Sequence, residues 1–373
     1  MTLHLSGRAT STGTGVKPAL AAMASGGPVV LVDDRAARAN GFLVIAAEAV
    51  TTGSAAFFVR HSSGLLCVAL PGAECDRLDL PAMTGAANDP DGLAACVTVD
   101  AASGISTGIS AHDRARTVAL LANPESSEAD FIRPGHVIPV RAAEGGVFHR
   151  DGVAEAAADL ARAAGHRPVA LFAALDSVLT PTELAHGAEL DTFARTHGLV
   201  TVSISDVIAH RLSAEPLVSR KVTARLPLQA GVTRTVGYHG LVDGAEHLAL
   251  VVGRPRDGED VPVHIHRECL TGDVFGSLRC ECRYRLDRAL ATITAEGIGV
   301  VVYLRPSGTA GHCGSATGRF DTDRMLSSVA AHILQDLGVR SVHLLTDNAG
   351  HRAALQDRGL PTRIHGLAVA AIS

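Results

Sequence analysis

Tryptophan is absent, and aromatic residues of every kind make up only 3% of the 373 residues. A chain so poor in aromatics is not expected to build the stacking platforms that hold single-stranded nucleic acid. The formal net charge of -5 is small and of the wrong sign for gripping nucleic acid through a basic surface. No apolar run reaches the ~18 uncharged residues that would span a bilayer. The lead MTLHLSGRATSTGTG is polar and lacks an apolar signal core. The expectation is a cytoplasmic protein with no nucleic acid and no membrane as partner. The seven cysteines are an odd number in a chain without an export signal, which argues against a disulfide framework and leaves thiol or metal chemistry.

What is present points to a folded protein. Apolar residues make up 47% and charged ones 19%, which excludes a disordered polar chain. The length suits about two domains. From Val16 to about Arg211, strand-length apolar runs (PVVLVD, FLVIAAE, LLCVAL, CVTVD, PVALFAA, LVTVSI) alternate with Ala-rich stretches. Of these, Asp151 to Ala164 has the composition and spacing of a helix. Periodicity fades in LSAEPLVSRK, which predicts a linker over 212–221 between domains spanning 1–211 and 222–373. The second half opens with β patterns and continues helix, strand, helix, strand, helix from Tyr284 to Arg358. The pattern is α/β (α+β) in two domains.

The strongest chemical signal is HRECLTGDVFGSLRCECR, which places Cys269, Cys280 and Cys282 within fourteen residues. Three thiolates from a strand end and a Gly-containing turn suit a borderline-soft ion such as zinc. Three protein ligands leave one position for water, as in a catalytic site, whereas a structural site needs a fourth. The alternative is three buried cysteines with no metal, which the polar, Arg-flanked turn around Cys280 and Cys282 disfavours.

The run from Val263 to Cys282, and later DLGVRSVHLLTDN, resemble GTP cyclohydrolase II. Upstream, VRHSSGLLCVAL, GISTGISAHDRART and RPGHVIPVRA resemble 3,4-dihydroxy-2-butanone-4-phosphate synthase. The order of the halves is that of the bifunctional riboflavin-biosynthesis enzymes. The resemblance implies Cys269, Cys280 and Cys282 as zinc ligands, Asp323 as the catalytic proton acceptor, and Glu268, Arg305 and Thr346 as substrate contacts on a purine nucleotide. In the family's reaction zinc-bound water opens the guanine ring with loss of formate, while an arginine attacks the phosphate chain and releases pyrophosphate. His136 of the RPGH segment is a further candidate substrate contact, able to face a phosphate, with a scaffold role as its alternative. A homodimer is implied as well.

The same comparison predicts eroded sites. Asp33 and Asp34 survive, but the synthase family's following Arg-Glu-Asn-Glu-Gly-Asp falls on Ala37, Arg38, Ala39, Asn40, Gly41 and Phe42. Its Gly-His-Thr-Glu-Ala falls on residues 152–156, with Val153 in the histidine's place, and a later glutamate falls on Ala174. Magnesium needs oxygen ligands that these side chains do not supply. In the second half the family's attacking arginine falls on Met325, its Glu-Gly-Arg on Ser307, Gly308 and Thr309, a glutamine on Arg285 and a lysine on His351. A stretch of roughly eighteen family residues appears as a shorter Gly-rich segment, RPSGTAGHCGSATG, read first as a plain flexible loop, with a replacement substrate loop or a fourth zinc ligand from His312 or Cys313 as the alternatives. Three functions follow: a zinc hydrolase of cyclohydrolase II type with changed substrate or partial reaction, a silent ligand- or partner-binding paralog, or a genuine bifunctional riboflavin enzyme.

Overall fold

Among the described residues most of the buried apolar side chains are Val, Leu, Ile and Ala, and strands such as Val29–Val32 and Gly299–Leu304 are buried along nearly their whole length. The structure, a computed structural model, describes residues 15–83, 93–254, 257–305, 322–346 and 348–364. The chain divides into Met1–His210 and Arg211–Ser373. Among the described residues, each unit carries a seven-stranded sheet.

The first unit runs α1 (Val16–Ala24), β1 (Val29–Val32), β2 (Gly41–Ala46), α2 (Thr52–His61), β3 (Leu66–Pro71), α3 (Gly72–Arg77), β4 (Val99–Ala101), α4 (Ala111–Ala122), β5 (Phe131–Ala142), α5 (Val153–Ala163), β6 (Ala170–Ala174), α6 (Ala188–His197) and β7 (Thr201–Ser203), and α7 (Ile204–Ala214) carries the chain out of it. Its strand order is β4-β5-β3-β6-β2-β1-β7, mixed in direction. The six apolar runs expected as strands correspond to β1, β2, β3, β4, β6 and β7. β5 is a strand that pattern reading does not flag. It carries Pro134 and Pro139, residues that argue against a strand because they cannot donate to the ladder, yet the Pro139 carbonyl accepts the Cys96 N–H at 2.8 Å. α5 is buried continuously from Val153 to Ala161, and its alanines leave room for that close packing.

The segment expected as a linker is mostly ordered structure. Residues 212–214 complete α7 and 218–221 open β8, with Pro216 ending the helix between them. The fading periodicity marks a helix end whose carbonyls are capped: Arg358 donates from Nε to Leu212 O at 2.9 Å and from Nη2 to Glu215 O at 2.8 Å.

The second unit runs β8 (Val218–Leu228), β9 (Gly231–Gly240), β10 (Glu246–Val252), β11 (Val261–Arg267), α8 (Leu270–Asp273), α9 (Cys282–Ala295), β12 (Gly299–Leu304), α10 (Thr322–Asp336), β13 (Val342–Leu344), α11 (Ala349–Asp357) and β14 (Thr362–Ile364). The order is β14-β13-β11-β12-β10-β9-β8. β8, β9, β10 and β12 pair antiparallel, whereas β12, β11, β13 and β14 run parallel. Parallel strands all end at one edge of the sheet, the place where open α/β sheets bind ligands. The residues after β11, β12 and β13 therefore share that edge.

β11 also buries a titratable group. Burial pushes the pKa of His264 down to about 3, and the neighbouring His266 acts in the same direction. The folded form prefers neutral imidazole while the unfolded chain takes up a proton below about 6.5, so stability is intact above that pH and is lost as the pH falls toward 3. All three tyrosines, Tyr238, Tyr284 and Tyr303, lie in the second unit and there is no tryptophan, so tyrosine emission follows this unit alone. Denaturant unfolding read this way should show wild type losing about 1 kcal/mol more than His264→Gln between pH 6.5 and 5.5. Equal losses would contradict the assignment.

Candidate metal centre

Cys269 leaves the end of β11 as the N-cap of the short helix α8, Cys280 lies in the turn that follows, and Cys282 is the first residue of α9. The three sulfurs all lie within 4.8 Å of one another, and among the described residues they form the one group of three or more His, Cys, Asp or Glu side chains close enough to share an ion. The Cys269 and Cys280 sulfurs are 3.8 Å apart. None of the three cysteines is in a disulfide. Zinc–thiolate bonds of about 2.3 Å in a tetrahedron put neighbouring sulfurs about 3.8 Å apart, so the spacing suits zinc. Cys269 is buried while Cys280 and Cys282 are half-buried, which leaves one side open.

Gly272 makes this convergence possible. A Cβ at this position would lie 2.7 Å from the Cys280 sulfur, 3.1 Å from the Cys282 Cβ and 3.2 Å from the Cys269 sulfur. Any other side chain would occupy the space the three cysteines close around. Cys282 opens α9, at the end of a helix that favours negative charge.

The other expected residues of this half line the carboxyl edge of the parallel strands. Glu268 follows β11 and Arg305 follows β12; their side chains approach to 3.4 Å, and the Arg305 N–H donates to His247 Nδ1 at 3.2 Å. Asp323, in the first turn of α10, is largely exposed and holds a 2.7 Å ion pair with Arg267, two residues before Cys269. Thr346, two residues past β13, is half-buried and accepts the Asn348 N–H at 3.4 Å. Met325 is buried in the apolar face of α10, and Arg285 is ion-paired with Glu281 at 3.0 Å. His351 lies 2.8 Å from Ser327 Oγ, and burial lowers its pKa. Ser307, Gly308, Thr309, His312 and Cys313 lie outside the described residues.

His136 belongs to the other unit. Its backbone N–H donates to Asp100 Oδ1 at 2.9 Å and its Nδ1 lies 2.6 Å from Asp100 Oδ2. The Ser106–Gly108 turn packs on this pair: both Ser106 Oγ and the Gly108 N–H donate to Asp113, and a Cβ at Gly108, whose φ is +88°, would lie 2.1 Å from Asp100 Oδ2. Elsewhere in this unit the surviving acids have protein partners. Asp33 accepts two backbone N–H groups of its own turn, and burial holds its carboxyl above the usual range. Asp34 accepts the Ser205 N–H at 3.1 Å. Glu155, fully buried, accepts from Arg150 Nε at 2.8 Å and the Ala143 N–H at 2.7 Å. Arg35 pairs with Asp151 at 2.9 Å and Arg38 with Glu183 at 2.8 Å.

Comparison with known proteins agrees with this two-part plan. Residues 17–210 match the 3,4-dihydroxy-2-butanone 4-phosphate synthase family and residues 219–363 match GTP cyclohydrolase II. The riboflavin biosynthesis protein RibBA of Salinispora arenicola is 44% identical over 375 residues, covering 94% of this chain and 87% of that protein. The RibBA of Rhodococcus jostii is 45% identical, covering 92% and 88%. The chain belongs to the RibBA family of riboflavin biosynthesis proteins. The crystal structure of RibBX from A. baumannii, described as a two-domain 3,4-dihydroxy-2-butanone 4-phosphate synthase, superimposes with a TM-score of 0.76 at 29% identity, covering 95% of this chain and all of that one. A 3,4-dihydroxy-2-butanone 4-phosphate synthase solved with two magnesium ions is 41% identical over 54% of this chain and 97% of its own, with a TM-score of 0.51. Membership fixes the two-domain α/β architecture. Among the described residues no helix is long and apolar enough to cross a membrane.

Sequence reading passed over several groups beside the cysteines. Gly272 and Asp273 stand within the cysteine segment itself, His266 and Arg267 just before it, and Tyr303 on β12. The Thr-Gly-Asp after Cys269 is the available signal: a glycine and an acid between the clustered cysteines.

Proposed function

We propose that the second unit is a zinc-dependent hydrolase of GTP cyclohydrolase II type that opens the ring of GTP or a related purine nucleotide, with altered handling of the phosphates, and that the first unit is without lyase activity on ribulose 5-phosphate. The convergence of the three cysteine sulfurs, within 4.8 Å of one another and with Cys280 and Cys282 half-buried, carries the reading. Cys269, Cys280 and Cys282 would hold zinc, which lowers the pKa of a water ligand to about 7. Glu268 offers an acceptor to the N–H donors of a purine edge, steadied by Arg305. Asp323 takes up the proton, its carboxylate held at the strand edge by Arg267. Where the family's attacking arginine is expected, the buried Met325 thioether can make no such attack. In the first unit the loop positions that should carry acids carry Arg38, Asn40 and Phe42, and Val153 replaces a histidine. Asp34 and Glu155 already have protein partners. That donor set does not fit magnesium.

A second reading, a bifunctional enzyme active in both halves, is favoured by the 44% identity to a RibBA protein across 94% of the chain. Two assays separate the readings. Zinc-loaded protein given GTP should release formate without stoichiometric pyrophosphate, and Asp323→Ala should lower that rate at least ~10²-fold; stoichiometric pyrophosphate would refute the altered reaction, and inertness toward all purine nucleotides would refute the hydrolase. Given ribulose 5-phosphate and magnesium, the protein should release no formate at the rate of an intact synthase. Formate at that rate would establish the bifunctional reading.

A further inference from the structure

We propose that Asp273 is a positioning residue of the zinc site, fixing where Cys269 carries its sulfur. This rests on the reading of the three cysteines as zinc ligands. Asp273 is buried, and its carboxylate gathers three donors from three elements. Oδ2 accepts the Cys269 backbone N–H at 2.9 Å and the Tyr303 O–H at 2.8 Å, and His266 Nε2 lies 3.1 and 3.0 Å from the two oxygens. The His266 and Tyr303 rings stack with centroids 5.2 Å apart, so neither donor is free to swing.

Residue 273 also holds Cys269 from the other side, because its backbone N–H donates to the Cys269 carbonyl at 2.6 Å. Both peptide groups flanking the Cys269 Cα are therefore tied to one residue, and the direction of its Cα–Cβ bond is set. The carbonyl of Asp273 in turn accepts from Arg283 Nη1 at 2.8 Å, and Arg283 is the neighbour of Cys282 on α9. One residue thus joins the segments that bear the first and last ligands. A carboxylate that served the fold alone would have no need to hold the backbone of a ligand, and removing it would affect stability without altering the geometry of bound metal. Groups that orient metal ligands typically change metal affinity 10–100-fold when altered.

The test uses the full chain. Wild type, Asp273→Asn and Tyr303→Phe are stripped of metal, loaded with cobalt(II), and titrated with zinc in competition. Asp273→Asn should bind zinc 10–100-fold more weakly, with its cobalt absorption bands displaced, and Tyr303→Phe should show a smaller loss in the same direction. Wild-type zinc affinity and an unshifted cobalt spectrum in both variants would overturn the proposal while leaving the zinc reading intact. A wild-type chain that takes up neither metal would overturn both. If Asp273→Asn fails to fold, Tyr303→Phe decides: it removes one hydrogen bond and strands no charge, and unchanged zinc binding there refutes the role.

Discussion

Three cysteine side chains can share one ion only if nothing else occupies the space between them, and in this chain that condition is met by a residue with no side chain. Gly272 lies under all three, and the short turn of α8 brings Cys269 back toward the start of α9. The rest of the second unit is arranged around this constraint. β11 delivers Cys269 and Glu268, α9 delivers Cys282 with its N-terminus toward the sulfurs, and the parallel neighbours β12 and β13 end beside β11, carrying Arg305 and Thr346 to the same edge. The Cys269 and Cys280 sulfurs stand 3.8 Å apart, far beyond the about 2.05 Å of a disulfide and close to the spacing a tetrahedral zinc would require.

The two units hold their charged groups differently. In the first unit arginines pair with acids: Arg35 with Asp151, Arg38 with Glu183, Arg150 with Glu155. Ala39 takes a left-handed turn, φ +49°, a conformation that suits asparagine better than alanine. In the second unit Glu268 pairs with Arg305 and Asp323 with Arg267. Met325 is buried in its helix and Arg285 is ion-paired along its own, so both side chains have structural partners.

Much of this was legible in the residues because local signals and global structure agree. Val- and Leu-rich runs that end in polar residues became buried strands, the Ala-rich stretch after Asp151 became α5, and the cysteine spacing predicted the cluster. The readings that fell short did so where local chemistry was overridden. β5 contains two prolines and is held by its neighbours across the sheet. The stretch 212–221 loses its period because one helix ends and a strand begins, with Pro216 and the Arg358 cap at the junction. Asp273 could not be found by counting ligands, since its contribution depends on hydrogen bonds to His266 and Tyr303 that only the fold brings together.

The proposed site holds zinc through three thiolates with one position left for water. X-ray absorption at the zinc edge of protein purified without a metal-binding tag tests it directly. The expected result is three sulfur neighbours at about 2.3 Å and one oxygen at about 2.0–2.2 Å. Four sulfurs, or three sulfurs and an imidazole nitrogen contributed by the chain, would describe a closed structural site and contradict the proposed hydrolysis.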